Sequence, residues 1–218
     1  MKESLLGVGL PEERDVLRCL GYGSHSQPPH DEVFQKIREC VGEAGRIGAI
    51  RGAYIASPVK DIDEQGIDTE KGKILSVKLA RIAPDAEKIV FGLVSAGEIF
   101  DIWIEAGRSL LDSCIRDAVG TVLVESGVDL LLAQIGADTG LKTSLPFSPG
   151  YCDWGLNGQE LIFSYFPSDS VGIKLHRDSF SMTPGKSVSF VTCLSSEMKT
   201  GNPCRHCSLK ACFMRRAT

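Results

Sequence analysis

The spacing of apolar residues changes several times along the chain, and each change predicts an element. Leu10-Pro11-Glu12-Glu13 opens a helix, with proline in the first turn and acids at its positive end. Val16, Leu17 and Leu20 give that helix an apolar stripe, and Gly21 stops it. Gly23 to Pro29 reads as a loop. A second helix follows Asp31, because Val33, Phe34, Ile37, Cys40 and Val41 recur at helical spacing. Ile47 to Pro58 reads as a strand, and Ile74 to Ile82 as a short helix stopped before Pro84. Lys88 to Ser95 is the strongest strand, almost wholly apolar and so expected to be covered on both faces.

From Glu98 to Leu132 there is no proline, and the apolar spacing is three and four. Two helices are predicted there, with a break near Asp112-Ser113. Asp117 and Glu125, eight residues apart, are expected on roughly one face of the second. Further on, Leu145 to Gly150 is extended, Leu156 to Tyr165 helical, and Val171 to Leu175 and Val188 to Leu194 are strands. The strands follow no regular βαβ rhythm, so the predicted fold class is α+β. Residues 1–197 form the expected domain, and residues 198–218 a basic, Cys-rich C-terminal tail.

Composition narrows the function. The chain has 218 residues, 43% of them hydrophobic, enough for a sizeable core. Net charge is −4, which argues against a general nucleic-acid binder. The densest apolar run, Val122 to Ile135, is interrupted by Glu125, Ser126, Gly127 and Asp129, so no membrane span is expected. No secretory apolar segment follows Met1-Lys2-Glu3, and a cytoplasmic location is the expectation. Five acids in residues 61–70 (Asp61, Asp63, Glu64, Asp68, Glu70) read as a solvated turn, since their spacing is not that of an EF-hand.

Three segments could carry chemistry. The tail holds Cys204, Cys207 and Cys212, and two thiolates in a C-x2-C turn can grip one ion. Three thiolates suit zinc or an iron–sulfur cluster, and the nearby Lys and Arg would offset its charge. A closed site needs a fourth ligand; Cys193 is the first choice and Cys152 the second, while His206 lies inside the knuckle. The alternative is a set of free or disulfide-forming thiols. The second segment is Ser148-Pro149-Gly150-Tyr151-Cys152-Asp153-Trp154. Gly150 allows close approach to the main chain, and Tyr151 and Trp154 offer flat faces, so this is either a packed turn or a seat for a flat or cationic ligand. The third is Met182-Thr183-Pro184-Gly185-Lys186-Ser187. It lacks the upstream glycine of a phosphate loop, Phe180 standing in its place, and precedes a strand, so it reads as a turn. His25, His30 and His176 form no spacing that suggests a triad.

In order, these second-half motifs resemble the activation (reactivation) domain of cobalamin-dependent methionine synthase, in a short stand-alone form. The series runs from residues 148–154 through Gln159 and Leu161-Ile162-Phe163, Val171 to Leu175 and 182–189, to the cysteine tail with Arg215. Asp117 to Glu125 is similar to the family's buried helix. The resemblance implies a twisted, mainly antiparallel sheet with surrounding helices. It implies S-adenosylmethionine as ligand, at Ser148, Gly150 and Tyr151, and a cobalamin presented by a partner. That partner would be a corrinoid-binding methionine synthase or methyltransferase, reactivated in trans by reductive methylation with a flavodoxin-like or ferredoxin-like electron donor. The domain would be methyltransferase-associated, the corrinoid doing the chemistry. Two positions depart from the pattern: Pro146 stands where the family has an arginine, and Thr121 where it has an acidic contact. They leave a second reading, a metal- or cluster-binding redox module on the same fold without S-adenosylmethionine.

Overall fold

The computed structural model describes residues 1–22 and 28–198. Its centre is the apolar strand foreseen at Lys88–Ser95. The full order is β1 (Lys2–Leu6), α1 (Glu13–Cys19), α2 (Asp31–Ala44), β2 (Ile50–Pro58), β3 (Asp61–Asp63), β4 (Gly66–Asp68), β5 (Lys73–Ile74), α3 (Val77–Ile82) and β6 (Lys88–Ser95). There follow α4 (Glu98–Glu105), α5 (Leu110–Thr139), β7 (Lys142–Thr143), α6 (Gly158–Ser164), a 3-10 turn at Ser170–Gly172, β8 (Lys174–His176), β9 (Ser181–Thr183) and β10 (Ser187–Ser195). The main sheet is antiparallel throughout, in the order β1-β2-β6-β10-β7. The fold is α+β.

Both faces of this sheet are covered, and strand alternation divides the core between them. Val90 and Val94 of β6 and Phe190 and Leu194 of β10 meet α1, α2, α4 and α5 on one face. Ile89, Phe91 and Leu93 of β6, with Val191 and Cys193 of β10, meet the small sheet β3-β4-β5, α3 and α6 on the other. The two central strands touch closely at one pair: Phe190 lies directly opposite Gly92, and its ring takes the space a side chain on Gly92 would need.

Helix α5 is long and apolar enough to cross a membrane by length and composition. The glycines, serines and acids expected to interrupt its apolar run do not stop it. Its apolar residues Ile115, Val119, Val122, Val128, Leu131 and Ile135 are core, packed in one cluster with the sheet. The break before this helix falls at residues 106–109, not at Asp112-Ser113. Those polar residues are its N-terminal lock. Ser109 accepts from the Asp112 N–H at 3.1 Å, and Asp112 accepts from the Arg108 N–H at 2.9 Å, a reciprocal cap.

Asp112 is nearly inaccessible at 1% exposure, yet it is surrounded by partners. Arg116 donates to it at 3.1 Å, and Lys36 lies 3.7 Å away. Arg116 also donates to the Trp103 carbonyl and pairs with Glu43, to which the Trp103 indole donates. This network ties α2, α4 and α5 together. Burial works against ionisation of Asp112, but the Arg108 N–H, Arg116 and Lys36 outweigh it and hold the carboxyl below its usual value.

Three further expectations change. The acidic run 61–70 is not a bare turn but contains β3 and β4, whose Asp63 and Asp68 are both bridged by Lys73. Val171 to Leu175 is not one strand. Asp169 and Val171 adopt left-handed backbone conformations at φ 62° and 47°, which breaks the extended run and delays β8 to Lys174. The N-terminal edge strand β1 has no alternating pattern in the sequence and is formed by pairing with β2.

Gly92→Ala should lower stability by about 1–3 kcal/mol, because the new methyl group must displace the Phe190 ring. Urea denaturation measures this; an unchanged midpoint would contradict the packing described.

Candidate functional site

The segment 147–154 is laid along the edge of β10. Phe147 forms a bridge with Val191, exchanging two backbone hydrogen bonds of 2.9 Å. Antiparallel direction then carries the following residues toward the start of β10. There the chain folds into a tight bend. Tyr151 N–H donates to the Ser148 carbonyl (3.0 Å), Gly150 N–H to the Trp154 carbonyl (2.8 Å), and Trp154 N–H to the Tyr151 carbonyl (3.0 Å). Gly150 sits at φ 90°, a conformation other residues resist. Cys152 sits at φ 56°, held there by the same hydrogen bonds.

Two anchors fix the bend from below. Trp154 is 4% exposed and stacks on Phe147, with ring centroids 6.2 Å apart. Asp153 accepts from the Ser76 hydroxyl (2.7 Å) and the Lys78 N–H (3.1 Å), which joins the bend to the start of α3. Burial alone would raise the Asp153 carboxyl, but these donors prevail and hold it below its ordinary value of 3.8. With both anchors turned inward, Tyr151 faces outward and is 53% exposed, beside the exposed Leu156. Ser148 is half-buried and Gly150 exposed.

The turn before β10 lies at the same end of that strand. Gly185 N–H donates to Asp101 of α4 at 2.7 Å. Lys186 reaches α5, where it pairs with Asp117 at 2.7 Å and donates to the Thr121 hydroxyl at 3.0 Å. Thr121 thus carries no charge, but the adjoining turn of α5 supplies a carboxylate, that of Asp117. The Gly-Lys-Ser segment is a turn leading into a strand, as its order implied. Sequence reasoning did not single out Asp117 and Lys186 as a pair, since 69 positions of chain lie between them; only the approach of α5 to this turn unites them.

Two hollows occur in the described residues, and Ser148, Gly150 and Tyr151 line neither. One, of about 400 Å³, lies between α6 and the segment 168–177, with Phe163, Ile173, Lys174 and Arg177 in its wall. The other, of about 570 Å³, is a shallow depression on α2 around Phe34 and Arg38. The bend is an open platform on this chain alone. Asp61, Asp63 and Asp68 bring carboxylate oxygens within 4.8 Å of one another, but the Lys73 ammonium already bridges two of them.

The cysteines separate by environment. Cys204, Cys207 and Cys212 lie outside the described residues. Cys193, expected as their fourth ligand, lies in the middle of the sheet's inner face at 0% exposure. Burial pushes its thiol up to about 12, with Ser144 opposing only in part. In this position its sulfur is enclosed by the core and has no open side from which to meet the tail. Cys152 is exposed on the bend.

No protein-family model matches the chain, and no curated protein matches it. Solved structures do. One is the crystal structure of the MetH reactivation domain bound to AdoHcy, which superposes with a TM-score of 0.55 and 16% identity. The match covers 77% of this chain and 66% of that one. The chain shares the fold of the MetH reactivation domain. At this identity the likeness fixes architecture and leaves individual contacts to this chain's own residues.

Asp153→Asn should cost about 1 kcal/mol at pH 7, the scale of a lost helix cap, with solvent screening keeping it from being larger. Because the folded carboxyl lies below its unfolded value, this contribution is present above pH ~4 and is lost as pH falls through the folded value. The gap between wild type and variant in urea melts should therefore close by pH ~2–3. A gap of the same size at both pH values would show that Asp153 does not hold the bend through its charge.

Proposed function

We propose that this chain is an accessory domain that binds S-adenosylmethionine or a close relative at the 148–151 bend. It would act in trans on a corrinoid methyltransferase during reductive methylation of oxidised cobalamin. The observation that carries this reading is the shared architecture with a MetH reactivation domain bound to AdoHcy. The form of the bend supports it. Gly150 lets a ligand reach main-chain groups, and Tyr151 offers an aromatic face beside a stretch of exposed backbone.

The residues present would divide the work in a definite way. An S-adenosyl nucleoside carries a flat base, a cationic sulfonium and an amino-acid end. Tyr151 suits the base or the sulfonium, since an aromatic face attracts cations. The family's arginine would hold the ligand carboxylate with two hydrogen bonds. Pro146 has no donor, so the carboxylate must be met by main-chain N–H groups or by water, and weaker binding is expected. The platform leaves one side of the ligand uncovered, which suits presentation to a macrocycle on another polypeptide. The cobalt would supply the redox and methyl-accepting chemistry; this chain's residues would bind, orient and cover.

The second reading, a metal-centred module without the nucleoside, is favoured by Pro146 alone. Titration calorimetry with S-adenosylmethionine and with AdoHcy separates the two. Binding is expected, and Tyr151→Ala should weaken it by about 1–2 kcal/mol through loss of the stacked ring. Absence of binding heat, with no shift in melting temperature at millimolar ligand, would overturn the nucleoside reading. Equal affinity of wild type and Tyr151→Ala would remove Tyr151 from the site. Co-elution with a corrinoid protein from the same cells tests the partner.

A further inference from the structure

The tail motif C-x2-C-x4-C supplies three thiolates and leaves a tetrahedral metal one ligand short. Cys193 is enclosed and cannot complete the set in this fold. Cys152 has the opposite properties. It is exposed, and it stands on a bend whose backbone is fixed by hydrogen bonds on either side of it. It also holds φ 56°, uncommon for a residue with a side chain and characteristic of sites where geometry is imposed for a purpose.

Connectivity permits the contact. Met198, the last described residue, packs into the same buried cluster as Trp154, two residues from Cys152. Six residues lead from Met198 to Cys204, an extended reach of about 20 Å. We propose that Cys152 joins Cys204, Cys207 and Cys212 in a four-thiolate centre for a thiophilic metal, zinc or an iron–sulfur cluster, and so fastens the tail beside Tyr151.

A ligand already ordered by the folded body lowers the entropy cost of closing the site. Four thiolates around one zinc carry a net charge of about −2. Arg205, Lys210, Arg215 and Arg216 in the tail offset it. Loading exchanges the four thiol protons for the metal, so affinity rises with pH. The proposal does not depend on S-adenosylmethionine, because its ligands are thiols alone. It does place the metal centre next to the nucleoside platform, so loading would alter access to that surface.

The test uses the full chain purified without oxygen, with metal content measured directly. A brown chromophore marks the cluster, and a colourless protein with stoichiometric zinc marks the alternative metal; either supports the centre. Iodoacetamide labelling with peptide mapping then reads each thiol. Exposed Cys114, outside the set, is the internal control. Cys152 should react at least tenfold more slowly in the loaded protein than after chelation, while Cys114 reacts alike in both. Cys152→Ser and Cys152→Gly should each lower affinity at least tenfold in chelator competition, and Cys193→Ala should not. The glycine variant accepts the φ of this position, so its loss of metal cannot be blamed on strain. Protein that takes up neither zinc nor iron, equal labelling of Cys152 with and without metal, or unchanged affinity in both Cys152 variants would overturn the proposal.

Discussion

Strand β10 is held along both edges, and the rest of the molecule takes its positions from that constraint. On one side it exchanges a full ladder with β6, register fixed where Phe190 fills the gap over Gly92. On the other it receives β7 and Phe147. This second edge brings a chain segment with little regular structure beside a rigid sheet. The bend at 148–154 is therefore shaped by local hydrogen bonds but located by β10. The turn that begins β10 is pinned in the same way to α4 and α5 through Asp101, Asp117 and Thr121. One strand thus gathers three distant stretches of sequence at one end of the sheet.

Much of this architecture was legible in the residues. Periodicity found β6 at its full bounds and α1, α2, α3 and β10 within a few positions, because each carries its burial pattern in its own sequence. What was hidden depends on partners. β1 is a strand because β2 offers an edge, not because Lys-Glu-Ser-Leu-Leu alternates. Asp112-Ser113 looked like an interruption because a polar pair within an apolar stretch commonly marks an end. Here the pair marks the start of a helix, a distinction that only the Ser109 and Arg108 contacts reveal. Val171 and Ile173 are buried as expected of a strand, but two left-handed residues bury them without one.

The site was legible to a smaller degree. Gly150, Tyr151 and Trp154 announced a tight, aromatic turn, and the division of labour between the two rings followed from packing: Trp154 beneath, Tyr151 outside. The sequence could not tell that Cys193 falls on an inward position of β10, because a one-residue change in register would have turned it to the opposite face. Nor could it bring Lys186 to Asp117.

The network around Asp112 constrains how this chain can vary. A carboxylate sealed from water is tolerable only with its cations and donors in place, so exchanging any one member alone leaves an unbalanced charge or an idle donor. Replacements at Asp112, Arg116, Glu43 and Trp103 should therefore be strongly non-additive, each harmful singly and far less so together. Substitution at this crossing of α2, α4 and α5 has to proceed by coordinated jumps, while the exposed bend across the molecule can drift one residue at a time and acquire new ligands without disturbing the helices behind the sheet.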